Sequence, residues 1–336
     1  MRRVLLVKTS SMGDLVHMLS AVQEAAQLVS SVRFDWVCEE AFTDIPRLSP
    51  AVDRVIHVAT RRWRHTLHAF ETRAEIRRFV TELRSTPYDL VIDAQGLLKT
   101  AWITALARCA RQSRWGFDWS SSREPLSILA TGRRVHAPFQ WHAIERLRTL
   151  MGQALGYFPS SAIATLQPSR ASASQAQQDI DASIAGTTVM FLHGTSREEK
   201  AWPLSEWMTL GKILASQGFQ VLLPSGSAAE ERIATEIAAA IGPSAKALPR
   251  SSIGALVPLI RDSALVVGVD SGLMHLAVAL GVPTVAVMSA SHLERFSAAR
   301  FAPTWAPHAQ VVTRQGPHTS ISVDQVLQSC KALGLV

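Results

Sequence analysis

Four short stretches carry the residues from which chemistry is built. KTSSMGD (Lys8 to Asp14) places a lysine, two hydroxyls, a glycine and a carboxylate between an apolar run and a helical pattern. Gly13 permits close backbone approach or a positive φ. Ser10 and Ser11 can donate to a ligand or cap the helix. A helix start offers unpaired N–H groups and the positive end of the macrodipole, which keeps Asp14 ionised. That carboxylate either serves the first helical turn or, set within reach of a hydroxyl, takes its proton. Spacing alone leaves both roles open.

HGTSREEKAWP (His193 to Pro203) offers the hydroxyls of Thr195 and Ser196, then the cation Lys200, suited to a diphosphate. VGVDSGLMH (Val267 to His275) ends an apolar run in Asp270, Ser271 and Gly272 and opens a helix at once. Gly272 lets an anion approach the helix N-terminus, and His275 falls one turn in. PSGSAAEE adds Glu230 near another helix start, where a carboxylate can take the two hydroxyls of a ribose or serve the helix dipole. Each stretch taken alone also fits an ordinary capped turn or a surface loop.

All of them follow apolar runs that read as strands. RRVLLVK, FDWVCE, DRVIHVA and YDLVIDAQG alternate with helical spacing at Gly13 to Val29, residues 71–85 and Leu97 to Cys109. The pattern restarts at TTVMFLHG (187–194) and runs through FQVLLPSG, ALVVGVDSG and PTVAVMS (283–289), with helices between. This predicts an α/β chain of two Rossmann-like domains with parallel sheets, 1–165 and 187–336, facing each other across a cleft. Residues 166–186, rich in Ser, Ala and Gln, are the expected linker with one weak helix. The last helix is expected to pack back on the first domain.

The 336 residues are 47% hydrophobic and 18% charged, enough apolar content for two cores. Residues 1–165 hold 22 Lys and Arg against 15 Asp and Glu, whereas residues 166–336 hold 12 of each. The whole excess of +7 thus lies in the first half and favours an anionic partner there. It is densest at RRWRH, Arg61 to His65. Three widely spaced cysteines, Cys38, Cys109 and Cys330, read as reduced thiols in a cytoplasmic protein. No apolar stretch approaches the roughly 18–20 residues of a membrane span. No GxGxxG follows a strand, and GxxxxGK[ST], HExxH and GxSxG are absent, so dinucleotide, P-loop, zinc-protease and serine-hydrolase readings lack their motifs.

With the strings VIHVATRRWR, DLVIDAQGLLK and GFDWSSSREPLS, these stretches resemble the ADP-heptose:lipopolysaccharide heptosyltransferases, inverting glycosyltransferases of the GT-B fold. RRWR, DAQGL and REPL point to the branch that adds the first heptose to Kdo rather than the branch that adds the second. The resemblance runs from residue 2 to beyond 290 and departs from close members at Gly194-Thr195-Ser196, where they have Ala-Thr-Thr, and at Ser271, where they have Thr, with hydroxyls kept at both. It implies Asp14 as general base, with Lys200 as the second catalytic group. For the ADP-heptose donor it implies Thr195, Ser196, Lys200, Glu230, Asp270, Ser271, Gly272 and His275. For the Kdo2-lipid A acceptor it implies Lys8, Ser10, Ser11, Gly13, Arg61, Arg62, Arg64, Gln95 and Arg123.

The resemblance also implies no essential metal, no other cofactor, no nucleic acid, and peripheral contact with the acidic cytoplasmic face of the inner membrane. RRWRHTLHAF would touch that surface through Trp63, Leu67 and Phe70, or form a lid over the acceptor. Two other readings share the fold or its ligand. A nucleotide-sugar epimerase leaves the basic first half unexplained, and a non-catalytic binder leaves Asp14 and Lys200 without a task.

Overall fold

In a run such as Val4-Leu5-Leu6-Val7 no side chain can face water if the strand is central in a parallel sheet, and all four are fully buried. The computed structural model describes residues 1–161, 163, 165–166, 187–195, 197–288, 298–314 and 320–334. Apart from Leu166, the expected linker lies outside the described residues, as does Ser196. The chain divides into two compact units, Met1–Ala164 and Thr165–Val336.

The first unit has six strands: β1 (Arg2–Val7), β2 (Val32–Glu39), β3 (Val52–Val58), β4 (Leu90–Asp93), β5 (Arg114–Phe117) and β6 (Arg133–Val135). They form one parallel sheet in the order β3-β2-β1-β4-β5-β6. The second unit has β7 (Thr188–Leu192), β8 (Gln220–Leu223), β9 (Ala245–Ala247), β10 (Leu265–Val269), β11 (Thr284–Met288) and β12 (Ala309–Thr313). Its sheet, also parallel, runs β12-β11-β10-β7-β8-β9. Both are the same doubly wound design. The chain travels outward from a central strand, returns, and continues the other way, so the winding reverses between β1 and β4 and between β7 and β10.

Helices cover both faces of the first sheet. Met12–Leu28 packs with Ala143–Leu155 on one side, while Phe70–Arg84, Leu98–Leu106 and the 3₁₀ turn Pro125–Ala130 pack side by side on the other. Alternate strand residues feed the two cores, so Leu5, Val7, Val37, Ile56 and Val91 meet Phe79, Leu83 and Ile103. In the second unit Phe191, Val221 and Val267 pack against Trp207 and Leu210 of the helix Leu204–Ser216, and against Ile237 of Ala228–Ile241. The last helix, Val323–Ala332, is amphipathic. Its buried face, with Val326 and Cys330, lies in the core of the second unit.

The helix Met12–Leu28 is fixed by a buried charge pair as well as by apolar contacts. Arg148 donates to Glu24 from Nε at 3.0 Å and Nη2 at 2.5 Å, and Glu24 also accepts from the N–H and hydroxyl of Ser160. These donors outweigh the burial that would raise the Glu24 carboxyl, and its pKa is lowered. Stability from this group is therefore full above the ordinary glutamate pKa and is lost as pH falls below it. Arg148→Met should cost about 3–5 kcal/mol, because it leaves Glu24 buried without its cation. Urea denaturation at neutral pH checks this, and a loss below about 1 kcal/mol would contradict it.

Candidate active site

In sheets of this design a ligand lies beyond the carboxyl ends of the strands, where the winding reverses. KTSSMGD follows β1 and DAQG follows β4, so the two loops flank that position in the first unit. His193, Gly194 and Thr195 follow β7 and Asp270 to Gly272 follow β10, flanking the corresponding position in the second.

In the first unit Asp14 is the third residue of its helix and reaches back to the cap. Its Oδ2 accepts from the Ser11 N–H at 3.1 Å and from the Ser11 hydroxyl at 2.9 Å. Its Oδ1 faces the Lys8 ammonium at 3.4 Å. Burial works against the charge, but Lys8 and the Ser11 N–H win, and the carboxyl is held down at about 2. Asp14 is thus a helix-terminus carboxylate and an ionised one, and 33% of its side chain still meets solvent. Oδ1, with only a long contact to Lys8, is the oxygen left for a hydroxyl proton.

Gln95 joins the two loops. Its Oε1 accepts from the N–H and hydroxyl of Thr9 at 2.7 and 2.9 Å, and its Nε2 donates to Ser10 Oγ at 3.3 Å. Asp93, at the end of β4, holds this turn. Its carboxylate accepts from the N–H groups of Gln95 and Gly96 and from the Thr100 hydroxyl. Burial pushes Asp93 up to about 6 despite those donors. These contacts end β4 at Asp93, short of the AQG that periodicity extended it through. Gly96 has φ +67°, and a Cβ there would lie 3.5 Å from the backbone N of Arg123. Asp93, Thr100 and Thr9 went unselected in sequence. The available signal was a carboxylate closing an apolar run directly before Gln95.

The basic segment is less uniform than its sequence. Arg62 is paired with Glu75 at 2.9 Å and Glu40 at 3.2 Å. Arg61 lies over the Phe42 ring, Arg64 donates to His65, and Arg123 is exposed. Trp63, expected to touch a bilayer, is instead only 6% exposed, and its indole N–H donates to Glu75 at 2.7 Å. A polar partner and the apolar cluster of Phe79 and Leu83 account for that burial.

In the second unit Lys200 Nζ lies 2.5 Å from Asp270 Oδ2, a largely buried pair. His275 is buried, with Nε2 3.5 Å from Asp270 Oδ1. Burial opposes the Asp270 charge, but His275 and Lys200 hold its pKa well below the usual carboxylate range. Asp270 thereby fixes the ammonium of Lys200 beside the helix Gly272–Ala279, whose cap Ser271 accepts from the Met274 N–H. Glu230 Oε2 accepts from the Gly226 N–H at 2.7 Å, and the Glu230 carbonyl accepts from His193 Nε2. At Gly194 a Cβ would meet Glu230 Cδ at 2.8 Å, so the glycine lets that carboxyl lie against the strand end. Thr195 lies in the same turn, its Oγ1 3.5 Å from the Arg197 N–H. Among the described residues no group of three His, Cys, Asp or Glu side chains converges as a metal site would.

Two doubly wound units with polar loops at both reversals match a known sequence family. The model of glycosyltransferase family 9 (heptosyltransferase) covers residues 76–326. The chain belongs to this family. It is 42% identical to lipopolysaccharide heptosyltransferase 1 of Pseudomonas aeruginosa over 85% of its own length and 78% of that protein's. It is 40% identical to the Escherichia coli K12 protein of the same name, over 85% and 87%. The structure of E. coli heptosyltransferase WaaC with ADP superposes with a TM-score of 0.83 at 36% identity, covering 98% of this chain and 99% of that one. WaaC has also been solved with ADP-2-deoxy-2-fluoro heptose, and matches with a TM-score of 0.81 at 35% identity over 98% and 99%. The protein is a glycosyltransferase, and its fold is GT-B.

Family 9 membership leaves the electrostatics of this chain to be checked directly. Lys8→Met removes the main favourable charge on Asp14 and keeps the burial, so the Asp14 pKa should climb from about 2. Asp14 now adds stability above the ordinary aspartate value that is lost as pH falls through about 2, and in the variant that window moves upward. Carboxyl ¹³C titration of both proteins reads the shift, and an unmoved Asp14 would refute Lys8 as its cause.

Proposed function

We propose that the protein is an inverting heptosyltransferase that moves L-glycero-D-manno-heptose from ADP-heptose to the first Kdo of Kdo2-lipid A, in lipopolysaccharide inner-core synthesis. The observation that carries the mechanism is Asp14, an ionised and partly exposed carboxylate at the winding reversal of the basic unit. The identities to two proteins named lipopolysaccharide heptosyltransferase 1 support the reaction class. The ADP and ADP-sugar complexes of WaaC support the donor.

The second unit would hold the donor. Lys200 and the N-terminus of Gly272–Ala279 face its diphosphate with positive charge, together with Thr195 and Ser196. Glu230 takes the ribose, while Asp270 and His275 keep Lys200 in place. The first unit would hold the acceptor, with Arg61, Arg64 and Arg123 toward its carboxylates and phosphates, Arg62 being held by Glu40 and Glu75, and Lys8, Ser10, Ser11, Gly13 and Gln95 around the reacting hydroxyl. That hydroxyl oxygen attacks the anomeric carbon as the carbon–oxygen bond to ADP breaks, and the proton passes to Asp14 Oδ1. Attack opposite the leaving group inverts the centre. A carboxylate held down at about 2 is a weak base, so the proton moves only as the new bond makes the hydroxyl acidic. Lys200 and the helix start supply the charge the leaving diphosphate needs, so the reaction calls for no metal. The acceptor is a lipid, which makes the protein a peripheral one at the cytoplasmic face of the inner membrane.

ADP release and product mass, measured in a chelator with ADP-heptose and heptose-free Kdo2-lipid A, test the whole reading. Release should require that acceptor, and donor consumption without it would indicate an epimerase instead. Asp14→Ala should lower turnover by about 10²–10⁴-fold while ADP binding persists. Lys200→Ala should weaken both donor binding and turnover. Normal turnover in Asp14→Ala would remove the base from the mechanism.

A further inference from the structure

Exposed apolar surface is distributed as unevenly as charge. Of the twelve large apolar side chains left exposed among the described residues, eleven lie in the first unit, and Ile233 is the exception. Six of the eleven belong to one side of the first sheet. Leu67 and Phe70 stand at the start of the helix Phe70–Arg84, Leu98 and Trp102 one turn apart on Leu98–Leu106, and Leu126 and Leu129 on Pro125–Ala130. These three elements are neighbours, and the Trp102 ring stacks on Phe79 at 6.0 Å. Phe70 is 75% exposed and Leu129 66%, values that isolated surface residues of this size seldom share with adjacent ones.

The charge around them is mainly positive. Arg73 and Arg77 follow Phe70 at helical spacing, on the same stripe, and both are exposed. Leu98–Leu106 carries Lys99 and no acid, and Pro125–Ala130 carries no charge. Of the three glutamates on Phe70–Arg84, Glu75 is held by Arg62, Glu82 lies 3.9 Å from Arg54 and Glu71 is exposed beside Phe70. Glu124, just before Pro125–Ala130, accepts from the Leu98 N–H, so the basic side chains outnumber the acids without excluding them. The helices over this face follow β3 and β4, so their N-terminal ends, with Phe70 and Leu98, stand at the carboxyl edge of the sheet. That is the edge that carries KTSSMGD and DAQG.

We propose that this face is a membrane-docking surface and that its occupant is the surface of an anionic phospholipid bilayer. Apolar tips enter the interface while Arg73 and Arg77 meet lipid phosphates, and the edge that carries Asp14 is held toward the headgroups. The assignment deepens the lipid-acceptor reading above, and its test needs no catalysis.

Full-length protein is sedimented with vesicles of phosphatidylglycerol and phosphatidylethanolamine, and with vesicles of phosphatidylcholine. Binding to the first and about tenfold weaker binding to the second is expected. Phe70→Ser with Leu129→Ser should lower partition about tenfold with unchanged thermal unfolding, since both side chains are exposed. Arg73→Gln with Arg77→Gln should lower it and flatten its salt dependence. Ile233→Ser should change nothing. ADP release with a delipidated, water-soluble Kdo acceptor should survive in the Phe70/Leu129 variant, which separates loss of docking from loss of activity. The proposal falls if the wild type ignores anionic vesicles or if the Phe70/Leu129 variant binds them normally. It also falls if that variant loses only self-association in sedimentation velocity, which would make the occupant a second copy of the chain.

Discussion

A parallel sheet wound in both directions has one place where adjacent strands send their chains to opposite faces. There the loops part, and backbone groups at the strand ends face outward without neighbours to cover them. Each unit of this protein has one such place, and its polar residues are gathered there. β1 and β4 bring Lys8, Ser10, Asp14 and Gln95 together from positions as much as 87 residues apart in sequence; β7 and β10 do the same for Lys200 and Asp270. The apolar burial of the four central strands sets the register, and the register fixes which side chains meet.

Within that frame the carboxylates are treated differently. Asp14 and Asp270 each face a lysine and stay charged, with pKa values pulled down. Asp93 lies deeper, accepts from backbone N–H groups and one hydroxyl, feels Lys8 only as its smallest influence, and is pushed up to about 6 by burial. The first two are suited to facing solutes and cations. The third is a structural acceptor that locks a turn. Residue type is the same in all three, and the difference comes from depth and from how directly a lysine faces the carboxylate.

Much of this was legible in the sequence, for physical reasons. Strands buried on both faces must be apolar throughout, so β1, β7 and β10 announce themselves, and the helices between them show their own spacing. The three-residue strands Arg133–Val135 and Ala245–Ala247 do not, because they exist only by pairing with a neighbour. Pairings between distant residues were equally hidden. Nothing local to Lys200 points to Asp270, and nothing in RRWRH shows that Trp63 turns inward to Glu75 while Arg62 is taken by two acids. Positions of the site residues came from strand ends, their chemistry from residue type, and their assignment to donor and acceptor from resemblance.

The pair between Glu24 and Arg148 has a consequence for how this protein can be taken apart. Glu24 lies on the helix that carries Asp14 in its first turn, but its donors come from residues 148 and 160, more than a hundred positions later. A fragment cut after the helix Ala143–Leu155 would contain every strand of the first sheet and still leave one bond set of a buried carboxylate unmade. The natural seam for dissecting or recombining the units therefore lies beyond Ser160, not at the last regular element. On the ribosome, the region that holds Asp14 is completed only once that serine has emerged.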